Sequence, residues 1–138
     1  MDAERAFTRA ARARRRAALL RCLRHEPASR GRLPLHDSES IRRLPAAGGR
    51  RVREIPLDRI TGTLEPGKAA QFDCGFRPAP IARQRWQRVW IAEHRGCPLP
   101  PISVARVDDG YAVVDGHHRV SVARARGALT IDAELIAP

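Results

Sequence analysis

Apolar residues recur at helical steps through the first stretch of the chain: Ala3, Ala6 or Phe7, Ala10, Ala13, Ala17, Leu20 and Leu23. No proline or glycine interrupts Asp2–Arg24, and acidic residues sit at its start, where the helix dipole favours them, so the pattern predicts a long helix. Glu26–Arg50 has no such period. Pro27, Gly31, Pro34, Pro45, Gly48 and Gly49 punctuate it as a linker, with room for two helical turns over Asp37–Leu44 capped by Asp37 or Ser38. Arg51–Ile55 reads as a strand stopped by Pro56, and Leu57–Ile60 as a short helical turn. Thr61–Pro80 carries three glycines and three prolines, which predicts a long irregular loop. Ile81–His94 returns to helical spacing, with Trp86, Val89 and Trp90 along one side and Gly96 as its stop. Ile102–Val107, an Asp108-Asp109-Gly110 turn and Tyr111–Val114 predict a hairpin. After Asp115-Gly116 the period changes again to helical, with Val120 and Ala123 on one face, and Ile131–Ile136 predicts a closing strand.

The charge is unevenly divided along these elements. Residues 1–53 hold 15 arginines against 5 acidic residues, so nearly all of the net charge of +11 lies in the first third. That asymmetry predicts a basic appendage on a nearly neutral domain. Three readings of the helix stand open. It docks by its apolar stripe on the core or on a second copy; or Arg12, Arg14, Arg15 and Arg16 contact a nucleic-acid backbone; or they meet an acidic protein or a membrane surface. No aromatic residues alternate with the arginines, so stacking on single strands has little support. No apolar run approaches the ~20 residues that cross a bilayer, and no hydrophobic signal region is evident. Cys22, Cys74 and Cys97 are odd in number and unpaired in spacing, which predicts reduced thiols and a cytoplasmic setting. His94 and Cys97 have a metal-like spacing but lack a second pair, so no metal site is expected.

The candidate chemistry lies at Asp115–Arg119. A strand, a glycine and a helix start bring unpaired N–H groups and a partial positive charge to one point, and His117, His118 and Arg119 add donors there. Phosphate is the natural ligand for such a helix mouth. The same turn also serves plain packing in many αβ units. It lacks the longer loop and Lys-Ser/Thr ending of a P-loop, and the further glycines of a dinucleotide fingerprint.

The order of these parts, PISVARV, DDG, YAVV, DGHHR, VSVARARG and IDAELI, resembles the nucleotide-binding core of the ParB/sulfiredoxin superfamily. REIPLDRITGT resembles the opening strand of that family, so the likeness covers roughly residues 51–138. It implies an α+β fold: a small mixed sheet packed with helices, preceded here by a basic N-terminal helix. The chain would divide into an arm and linker over 1–50 and a nucleotide-binding domain over 51–138. The resemblance implies a nucleoside di- or triphosphate, CTP, ATP or ADP, with or without Mg²⁺. Its phosphates would rest on Gly116, His117, His118 and Arg119, while Asp115 would orient the turn, help hold Mg²⁺ or, as the catalytic carboxylate, take the hydroxyl proton. Phe72, Asp73, Phe76, Arg77 and Pro78 partly echo a loop of ParB-like proteins, making Asp73 and Arg77 further candidates. The function implied is a nucleotide-binding regulatory module whose basic arm engages DNA or an acidic protein, with a homodimer open to it. The alternative is a small-molecule kinase like the free-serine kinases of the same fold, or a nucleotide hydrolase. ParB proteins usually carry Gly-Glu-Arg-Arg at the turn. Sulfiredoxins place a reactive cysteine directly after the glycine, where this chain has His117, so their chemistry is not expected. The chain ends at Pro138 without a helix-turn-helix segment, so centromere reading by that route is not expected either.

Overall fold

The computed structural model describes residues 2–41, 51–108 and 110–136. Helix α1 spans Ala3–Leu23, started by Asp2, whose Oδ1 accepts from the Arg5 N–H at 2.9 Å. Strands β1 (Val52–Pro56), β2 (Ile60–Thr63), β3 (Ile102–Val107), β4 (Gly110–Asp115) and β5 (Thr130–Leu135) form one mixed sheet in the order β1-β5-β3-β4-β2. The pairs β1/β5 and β3/β4 are antiparallel; β3/β5 and β2/β4 are parallel. Helices α2 (Pro66–Ala69), α3 (Arg83–His94) and α4 (His117–Ala125) complete the fold. The small mixed sheet packed with helices and preceded by an arginine-rich helix is thus as expected.

Trp86, fully buried on α3, organises the helical layer. The Phe7 ring of α1 meets it edge-on at 5.5 Å. On its other side the indole Nε1–H donates to Ser121 Oγ of α4 at 2.8 Å. Burying side chains of this size contributes roughly 2–3 kcal/mol each. Phe7 of α1 and Leu33 of the following segment belong to the same apolar cluster as Ile102, Val104, Val113, Val120 and Val122. Phe7 and Leu33 thus pack α1 and the segment after it against the sheet domain. The helix is buried only at Ala3, Ala6, Phe7, Ala10 and Ala11, while Leu19, Leu20 and Leu23 are exposed. Length explains this: α1 has 21 residues and the underlying α3 only 12, so at about 1.5 Å per residue the second half of α1 overshoots its partner.

Two expectations change. Thr61–Pro80 is not one irregular loop, since β2 pairs parallel with β4 and α2 follows it. Gly62 lies within that strand because a side chain there would come 2.3 Å from the Pro34 carbonyl. Between Asp37 and Leu44, the described part forms a single 3-10 turn, Ser38–Ser40. Asp37 Oδ1 accepts from the Ser40 N–H at 2.9 Å; the remaining turn falls outside the described residues.

Candidate functional site

Strand β4 delivers the chain to Gly116, which adopts φ +106°. An added Cβ there would sit 2.4 Å from Ile102 Cγ2, so both the backbone angle and the packing against β3 require glycine. Sequence reasoning assigned this glycine to phosphate approach; the structure fills that side with Ile102. The first intrahelical bond of α4 runs from the Val120 N–H to the Gly116 carbonyl at 3.0 Å. The N–H groups of His117, His118 and Arg119 precede it, and no side chain caps this end.

The side chains of the turn are engaged within the protein. His117 is 3% exposed; its Nε2 lies 2.6 Å from Thr63 Oγ1, and its ring stacks on Phe72 at 6.3 Å. Thr63 Oγ1 also accepts from the Glu65 N–H at 2.9 Å, so His117 fastens the start of α4 to the end of β2. His118, 7% exposed, sets its ring edge-on to Phe72 at 5.1 Å. Burial pushes each imidazole down to about 4, and the charge of nearby Lys68 pushes the same way; Arg85 adds to this for His118. Both rings are therefore neutral at pH 7. Arg119 Nη1 donates to the carbonyls of Pro100 and Pro101, the latter at 3.0 Å. Its Nη2 meets Asp115 Oδ2 at 3.1 Å, with Arg119 14% and Asp115 77% exposed. The three side chains of the turn are thus all anchored within the protein. The motif concentrates three donors, but the Phe72 ring, the Thr63 hydroxyl and the Pro100–Pro101 carbonyls have first claim on them. The charge of Lys68 on α2 is felt by both histidines, and that of Arg85 on α3 by His118; neither cation belongs to the motif. Lys68 reaches this turn through α2, which follows β2, and Arg85 through α3, which packs on α4.

Asp73 and Arg77 meet each other, not the α4 mouth. Asp73 is buried. Its Oδ1 accepts from the N–H groups of Gly75 (2.9 Å) and Arg77 (2.8 Å), and its Oδ2 pairs with Arg77 Nη1 at 3.2 Å. This closes the loop on itself, and Arg77 lines a cavity with Arg124. Of the four arginines expected at a nucleic-acid contact, Arg12, Arg15 and Arg16 are exposed. Arg12 and Arg16 share one shallow groove with Arg5 and Arg9, a stripe along the outer side of α1. Arg14 is half-buried against the segment around Leu33 and Asp73, with its Nε shielded from solvent. The spacing Arg5, Arg9, Arg12, Arg16 was available in the sequence as a helical stripe. The ring of His94 lies flat on Trp90 at 4.7 Å, and Cys97 is exposed. No described helix is long and apolar enough to cross a membrane.

Among solved structures, the chain is similar to sulfiredoxin from Arabidopsis thaliana. The identity is 20% and the TM-score 0.41, over 64% of this chain and 86% of that one. No family model matches, and no curated protein matches. A likeness at that level transfers no activity.

Proposed function

We propose that this domain is a phosphate-binding regulatory module of the ParB-like kind, holding a nucleoside di- or triphosphate at the mouth of α4. The observation that supports it is the first turn of α4: its N–H groups follow a left-handed glycine without a side-chain cap, and the charge of Lys68 acts on both of its histidines, that of Arg85 on His118. Helix N–H groups and nearby cations suit an anion, since each charge-assisted bond contributes roughly 1.5–3 kcal/mol. The residues fit the ligand through backbone and flanking cations. The motif side chains shape the turn: Arg119 straps it to Pro100 and Pro101, and His117 ties it to Thr63. Asp115 at the lip would repel a phosphate unless a Mg²⁺ ion lay between them. The stripe of Arg5, Arg9, Arg12 and Arg16 would serve a DNA backbone, with an affinity that falls as salt rises.

Calorimetry with CTP, ATP and ADP in the presence of Mg²⁺ tests the reading. Saturable binding is expected for at least one nucleotide, with Lys68→Ala and Arg85→Ala each weakening it about tenfold. Absence of binding to all three, or unchanged affinity in both variants, would overturn it.

A further inference from the structure

A second feature of α4 lies away from its mouth. A cavity of about 620 Å³ opens between α1, the loop around Phe76, and the second half of α4. Much of its wall is apolar, including Ala10, Ala13, Leu57 and Phe76, yet Arg77 and Arg124 both border it. Arg124 Nη2 donates to the carbonyls of Leu57 (2.7 Å) and Ile60 (3.2 Å), and the guanidinium lies 5.5 Å from the Phe76 ring centre. Its Nε is shielded from solvent and has no partner among the described residues. Burial and then the like charge of Arg77 hold the Arg124 guanidinium below its ordinary range, with Asp58 and Asp73 acting in the opposite sense. Asp73 is already committed to the Gly75 and Arg77 N–H groups and to Arg77 Nη1. Asp58, exposed at the rim, is the other carboxylate facing this pair.

Arg77 and Arg124 bring two guanidinium groups to the edge of one cavity, where a carboxylate can lie between them. The apolar wall favours a ligand whose body is apolar. Asp58 at the rim disfavours a second negative charge on it. We infer that this cavity binds a small monocarboxylate with an apolar body, its carboxylate between Arg77 and Arg124 and its body against Ala10, Ala13 and Phe76. This site is independent of the nucleotide reading, because it uses neither the α4 mouth nor the cations around it.

Ser121 borders the cavity and accepts the Trp86 indole N–H, so that proton reports on occupancy. The test is a titration of the full chain with octanoate, octanol and inorganic phosphate, followed through the Trp86 indole ¹H–¹⁵N signal. Octanoate is expected to shift the signal saturably. Octanol should bind about tenfold more weakly for want of the charge-assisted bonds, and phosphate should leave the signal in place. Arg77→Gln should weaken octanoate about tenfold. Ala13→Leu, which fills the cavity from α1 without removing a charge, should abolish the shift and decides the matter if Arg77→Gln fails to fold. The proposal is overturned if octanoate gives no saturable shift, if octanol binds as tightly, if phosphate produces the same shift, or if Ala13→Leu binds octanoate like the parent.

Discussion

Arg119 and Arg124 stand on the same helix, and each donates to two backbone carbonyls of another part of the chain. Arg119 joins the mouth of α4 to Pro100 and Pro101 and also pairs with Asp115, so both of its terminal nitrogens have acceptors. Arg124 joins the second half of α4 to Leu57 and Ile60 through Nη2 alone; its Nε is shielded and unpartnered, and Arg77 stands near it. The first guanidinium is mortar between α4 and the approach to β3. The second is mortar with a vacancy in its hydrogen bonding. Two arginines on one helix can thus be held by backbone carbonyls to different degrees: Arg119 uses both terminal nitrogens, while Arg124 leaves a shielded nitrogen without an acceptor.

The comparison can be broken hardest at the mouth. Gly116→Ala should destabilise the fold by about 4 kcal/mol, combining left-handed backbone strain with overpacking against Ile102, as read by urea unfolding. Acid comes next. The folded histidines titrate near 4 and the unfolded ones near 6.5, so between these values the unfolded chain binds more protons. The stability they provide is complete above about pH 6.5 and is lost as pH falls towards 4. The loss should be on the order of 3 kcal/mol per histidine, measured as the unfolding midpoint against pH. Arg124→Met should cost about 2 kcal/mol, since it leaves the Leu57 and Ile60 carbonyls short of a donor. Arg119→Met should cost about 1 kcal/mol, because its carbonyls and Asp115 lie closer to water; equal losses in the two would erase the contrast drawn here. Smallest is the surface pair Arg126–Glu93 at 3.9 Å, whose removal through Glu93→Gln should change stability by less than about 0.5 kcal/mol.

Much of the framework was legible because it is local. The uninterrupted run of α1 with acidic residues at its start, the Trp86/Trp90 spacing, the β3–β4 hairpin and the glycine corner at Gly116 all follow from neighbours within a few residues. Strand β2 was hidden because Ile60–Thr63 is too short to show a period, and because Gly62 answers to Pro34, a contact distant in sequence. The exposed Leu20 and Leu23 were equally hidden: an apolar stripe says which face can dock, not how far the docking partner extends.

For the candidate site the division is sharper. Residue order by itself determined that a glycine corner would open a helix, that His117, His118 and Arg119 would lie in its first turn, and that arginine would crowd α1. Tertiary structure alone decided where those side chains point, because a donor takes whichever acceptor the packing brings within about 3 Å. Here Thr63, Phe72, Pro100 and Pro101 arrive from other elements and claim the motif. Lys68 and Arg85, which no local pattern marked, act on the histidines of the helix mouth, and Arg77 and Arg124 meet at the edge of the cavity.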